Sequence, residues 1–373
     1  MLRRHFALLT VCFGSIISVA ACGGSDDSSP SGTGGGGATD GGTGGSGGGT
    51  VDKQEPGAQP PADPGGTPGA GTDPTVIAVR KLFVGETDRQ GNPDPNAWKS
   101  FGYNLDGLIS TKSGTNHCAP AKGANPASVK TDGNDGIDNS FGGNLIPIIK
   151  TFTSNPSDDI SASLEDGSFT IMVKMDNLDA NADQTAIKAA LYGGAKLDPP
   201  PNWDGNDEWP VFPELLNNGD INNPKVKFDT SYVAGGTWVS GSPGTLNLAV
   251  SIQGFDLNLN ITQAQIGMDV SGTGTNATAS NGIIAGVIET EVLINELKKI
   301  AGGFDPNLCD GATFDSIAQQ IRAASDIMKD GTNGDSAKTC DAISIGLAFE
   351  GQAVKLGPVA PPATPSPDPC ATN

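Results

Sequence analysis

The chain has 373 residues, 53 of them glycine and 27 proline, and its 42 acidic against 22 basic side chains give a net charge of −20. A surface of that sign repels nucleic-acid phosphates and anionic lipid headgroups, which excludes a nucleic-acid partner, and it suits solubility outside a cell and attraction of divalent cations. With two histidines in the whole chain, a His-rich zinc centre is excluded as well.

Residues 1–21 read MLRRHFALLTVCFGSIISVAA, in which Arg3 and Arg4 precede an apolar run from Phe6 to Ile17. That run is too short for a permanent membrane span and has the charge and length of a bacterial export signal peptide. It closes on Val19-Ala20-Ala21-Cys22. This ending resembles the lipobox of bacterial lipoproteins, in which small residues precede a cysteine. The resemblance implies cleavage before Cys22, acylation of its thiol with palmitate-type chains, and usually acylation of the new amino group. Two or three acyl chains anchor stably where one is marginal. The residue after Cys22 is Gly23 and not the aspartate that commonly retains such proteins in the inner membrane, so the resemblance implies the outer membrane or the cell surface.

Residues 22–74 then form the expected tether: Gly23–Pro74 holds 19 glycines in 52 residues, with Ser, Thr, Pro and Asp filling most of the rest. Such a segment buries too little apolar surface to offset its ordering entropy, and as a flexible coil it reaches roughly 40 Å. Gly44 to Gly48 spells GxSxG, but no strand or helix flanks it, so it carries no hydrolase chemistry.

An exported domain is expected over 75–357, followed by a Pro-rich tail, 358–373. Residues 75–373 carry 35 acids against 19 bases, a net −16. Strands are predicted at Val76–Val84, Ser168–Met175, Lys225–Val233, Thr245–Ile252, Phe255–Ile261, Gln265–Val270, Gly282–Ile288 and Ala342–Phe349. The clearest is Phe255–Ile261, FDLNLNI, whose strict alternation marks a half-buried strand. Gly, Asn, Asp and Pro turns separate most of them. Helices are predicted at 289–301 and 315–329, with a shorter one over Gln184–Tyr192. The fold class is therefore mainly β, an antiparallel sandwich of jelly-roll or immunoglobulin-like type with two or three helices.

Four cysteines remain after the signal and Cys22. An even number in an exported domain points to two disulfides, and three connectivities are possible. Cys309 and Cys340 bracket a predicted helix, which favours that pair and leaves Cys118 with Cys370 to fasten the tail. No CxxC pair supports zinc.

One stretch stands out chemically, TDGNDGIDNSFGG from Thr131 to Gly143. Asp132, Asn134, Asp135 and Asp138 supply three carboxylates and an amide oxygen, and Gly133 and Gly136 let the backbone fold them together for calcium. The stretch is faintly similar to the Asp-rich calcium repeats of thrombospondins. It is no EF-hand, because Ile137 and Gly143 stand where that loop needs Gly and Glu. The competing reading is a polar turn, since these residue types dominate ordinary turns. Asp204, Asn206 and Asp207 repeat DGND between Trp203 and Trp209, and Asn104-Leu105-Asp106-Gly107 is a further oxygen-rich turn.

Catalysis has little support: His117 is the one histidine after the signal, and paired acids of a glycosidase leave no sequence signature. Two functions follow. One is a cell-envelope lipoprotein, membrane-anchored, displaying a calcium-stabilised β-rich domain to an envelope or extracellular protein. The other is a surface glycan-binding or glycan-cleaving protein that stacks sugars on Trp203, Trp209 and Trp238.

Overall fold

The structure, a computed structural model, describes residues 51–68, 74–122, 124, 130–151, 153–252, 255–362 and 368–371. The signal peptide, Cys22 and the tether up to residue 50 lie outside the described residues.

The strands in chain order are β1 (Lys53–Gln54), β2 (Thr75–Phe83), β3 (Leu108–Ile109), β4 (Thr170–Met175), β5 (Gln184–Gly194), β6 (Glu208–Val211) and β7 (Val226–Ala234). They continue with β8 (Thr237–Val239), β9 (Gly244–Ile252), β10 (Phe255–Ser271), β11 (Thr278–Glu289), β12 (Ala342–Ala353) and β13 (Lys355–Val359). The α-helices are α1 (Ile146–Ile149), α2 (Pro156–Glu165), α3 (Thr290–Phe304) and α4 (Ala312–Ala323). The chain is mainly β and its pairing mostly antiparallel, as its alternating segments predict.

The strand order differs from two separate sheets. Neighbours run β5–β4–β2–β12–β11–β10–β8–β7, and β7 pairs back onto β5, so the sheet closes on itself. Every contact around this ring is antiparallel. Strand twist favours closure, and closure removes the exposed edges that a long open sheet would present. Side chains of one parity fill the ring: Ile77, Val173, Ile187, Trp238, Met268 and Leu347 belong to one buried cluster. Side chains of the other parity on β2, β4 and β5 meet a second cluster under β6 and β13, in which Trp209 is wholly buried.

β12 is covered on both faces, and its sequence AISIGLAFEGQA shows how. Ile343, Ile345, Leu347 and Phe349 point into the ring, while small residues on the other face admit a strap of chain, residues 97–122 and 130–145. A Cβ at Gly346 would collide with the Phe101 carbonyl oxygen, so the strap's backbone lies directly on the strand. Asn139, 1% exposed, rivets it there. Its amide nitrogen donates to the carbonyls of Phe101 at 2.8 Å and Gly346 at 2.9 Å, and its oxygen accepts from the amides of Gly142 and Gly346.

Three expectations are corrected. Gln184–Tyr192 is strand and not helix: Ile187, Ala189 and Leu191 are buried on one face of β5, and pairing on both edges overrides the helix propensity of Ala, Lys and Leu. The tether does not extend to residue 74 as free chain, for β1 pairs with β3 and Asp52 is buried. The disulfides are Cys118–Cys340 and Cys309–Cys370, crossed relative to the expected pairs. Proximity in sequence misled here. Cys340 enters β12 beside the strap, where Cys118 lies, whereas Cys309 packs with Cys370 against Gly302, a position where a Cβ would meet both sulfurs.

Candidate functional site

The strap and the connection from α4 to β12 bring carboxylates from distant parts of the sequence into one buried region. Asp138 is 2% exposed, and its Oδ2 accepts from the backbone amides of Leu105 at 2.7 Å and Asp106 at 3.4 Å. Asp106 in turn accepts from the Leu108 amide at 2.7 Å and from the Asn333 side-chain amide at 2.9 Å. Asp132 Oδ2 accepts from the Ser110 amide at 2.6 Å. Asp326, just past α4, accepts from both the amide and the hydroxyl of Ser344 on β12. This explains why the predicted helix over 315–329 stops at Ala323: the chain must turn there to set Asp326 under β12.

These four acids act on one another. Burial, reinforced by the neighbouring negative charges, pushes Asp132 up to about 8. Asp326 rises to about 7, burial outweighing its two bonds from Ser344. Asp138 lies well above the ordinary carboxylate range, and Asp106 is raised, both from burial first. Asp52 adds repulsion to Asp106 and Asp132. Lys130 stands near Asp326, its own pKa lowered by burial.

Three buried polar atoms in this region find no partner, Asp52 Oδ2, Ser110 Oγ and His117 Nε2. Ser110, His117, Lys130, Asp132, Ser325 and Asp326 line a cavity of about 10 Å³. A space of that size admits one water or a bare cation and no organic substrate. Among the described residues, however, no three His, Cys, Asp or Glu side chains converge closely enough to hold a metal as they stand. The arrangement can therefore store protons near neutral pH, or exchange them for a cation that draws the carboxylates together.

Of the residues singled out in the sequence, Asp132 and Asp138 meet here. Asn134 and Asp135 are exposed, and the Asn134 amide donates instead to Ser100 Oγ at 2.9 Å. Asp135 adopts a positive φ of 52°, the local geometry of a turn. Asp106 was visible as part of an oxygen-rich turn, whereas Asp326 gave no signal inside a predicted helix. The DGND copy at Asp204–Asp207 is a turn: Asp204 accepts from the Asn206 amide, and Asp207 accepts from the amides of Asn202 and Trp203. Trp209 and Trp238 are 0% exposed and cannot stack on a sugar, while Trp203 is half-buried beneath the Arg80 guanidinium.

Compared with known proteins, the chain matches no family model, no curated protein and no solved structure.

Proposed function

We propose that the chain is a cell-envelope lipoprotein, anchored through acylated Cys22 at the outer membrane or cell surface, that displays a disulfide-braced and calcium-stabilised β domain for binding or structural work. The observation that carries this reading is the pair of disulfides: each joins segments far apart in sequence, separations of 222 and 61 residues, which favours an oxidising compartment outside the cytosol. The sandwich suggested by strand spacing, jelly-roll or immunoglobulin-like, is on this reading the two opposite walls of one closed ring. Calcium is assigned to Asp106, Asp132, Asp138 and Asp326, whose mutual repulsion a divalent ion relieves.

Expression of the full chain in a bacterial host with labelled palmitate tests the anchor. The wild type should carry label and fractionate with membranes, and Cys22→Ser should accumulate as an unlabelled precursor. Label retained by Cys22→Ser would overturn the assignment.

A further inference from the structure

The ring is not uniformly zipped. On one side of β10, β8 pairs with its second half and β9 with its first half. β8 also pairs with β7, and Ser242 still donates its amide to Thr230 Oγ1 of β7 at 3.1 Å. Beyond that point β9 follows β10, and no pairing between β9 and β7 occurs among the described residues. Where the two strands part, the wall opens on a cavity of about 510 Å³.

Its lining is sorted by chemistry. Phe169, Ile171, Leu191, Leu248 and Leu259 form the apolar part, each no more than 7% exposed. Val292 of α3 borders it at 39% exposure. The polar lining comes largely from one row of the β9–β10 hairpin, Asn247, Asn258 and Asn260, all solvent-exposed. Asn247 and Asn260 are register partners. Glu214, Glu296, Lys225, Thr170 and Tyr192 add to it. The Thr170 and Tyr192 hydroxyls already donate to the carbonyls of Val79 and Ile221, and Glu296 is already bonded to Lys299 at 2.6 Å and to Asn258 at 3.3 Å. None of the buried polar atoms that lack partners lies in this lining.

Close-packed interiors hold few voids larger than a water, and a cavity of this size falls in the range of ligand sites. At ~30 Å³ per water-sized unit it accommodates on the order of fifteen heavy atoms. We propose that this cavity binds an uncharged amphiphile, a medium-chain alcohol, ester or amide, with its alkyl chain on the apolar residues and its head among the asparagine amides. Glu296 is already paired with Lys299, and the lining's other two charged residues, Glu214 and Lys225, are of opposite sign, so the cavity offers no net charge to either an anionic or a cationic head. Amide groups, which donate and accept, suit a neutral hydroxyl or carbonyl.

The test is equilibrium dialysis of the full chain against radiolabelled 1-dodecanol, with dodecanoate and dodecylammonium as length-matched comparators. Saturable one-to-one binding of dodecanol is expected, with Kd on the order of 10 µM and at least tenfold tighter than either charged analogue. Val292→Trp should weaken it tenfold or more by filling the opening, and Val292→Phe by a smaller factor should the tryptophan variant fold poorly. Val359→Trp, at an exposed apolar position outside the cavity lining, should leave it unchanged. Non-saturable uptake, or binding indifferent to both Val292 substitutions, overturns the site. Equal binding of a charged analogue overturns the ligand class.

Discussion

Asn139 shows how much one side chain can hold. Its amide satisfies backbone groups of Phe101, Gly142 and Gly346 in a region that water does not reach. Truncation leaves those groups unpaired at about 1–3 kcal/mol each, so Asn139→Ala is expected to cost about 3 kcal/mol or more, read from chemical denaturation. The carboxylates make a different prediction. Asp132 and Asp326 hold their protons in the fold to about 8 and about 7, whereas the unfolded chain releases them near the ordinary value of 3.8. Between those limits the folded state binds more protons than the unfolded state, so stability falls as pH rises. In chelator, the melting temperature should be higher at pH 5 than at pH 8. Asp132→Asn and Asp326→Asn should each flatten that slope. The exposed Asp88 and Asp330, whose pKa values are lowered, act only below this window. A wild-type melting temperature that rises from pH 5 to pH 8 would refute the account.

At the scale of elements, the two disulfides anchor pieces that the strand pairing leaves loose. Cys118–Cys340 ties the strap to the entry of β12, next to the carboxylate cluster, and Asn333 accepts the Cys118 amide at 2.6 Å in the same place. Cys309–Cys370 ties the chain after α3 to the end of the tail. In the chain-entropy account the longer loop is worth about 5 kcal/mol and the shorter about 4 kcal/mol when each is lost alone. Cys118→Ser/Cys340→Ser should therefore destabilise more than Cys309→Ser/Cys370→Ser, and only the former should also alter the pH dependence of melting. Mass spectrometry of non-reduced peptides checks the pairing itself, and a Cys309–Cys340 peptide would contradict it.

For the whole molecule the central prediction concerns calcium. A cation bound only by the folded state stabilises it by about 2.7 kcal/mol at a hundredfold excess over its dissociation constant, and sites of extracellular modules bind near 10⁻⁴ to 10⁻³ M. Millimolar calcium should raise the melting temperature of the full chain by a few degrees. The gain should be greater at pH 8 than at pH 5, because protons compete for the same oxygens. Asp106→Asn/Asp138→Asn should abolish the gain, and Asp204→Asn/Asp207→Asn should not. A wild-type transition indifferent to calcium at pH 8 would remove the ion from the proposal and leave the proton store.

Local pattern alone determined a good deal of this protein. The alternation of Phe255–Ile261 reads directly as strand, because Leu257, Leu259 and Ile261 must be buried while Asn258 and Asn260 stay wet. The even cysteine count likewise reads as two disulfides. α2 was missed although Pro156 at its start and Asp158 and Asp159 in its first turn are ordinary helix-opening signals. What the tertiary structure decided is everything that depends on which distant segments meet. β5 is strand because β4 and β7 pair with its two edges, against its own propensity. The cysteines cross because the strap lies over β12. Asp132 joins Asp138, Asp106 and Asp326, and not Asn134 and Asp135, two and three residues away, because a turn throws adjacent side chains outward while packing gathers remote ones.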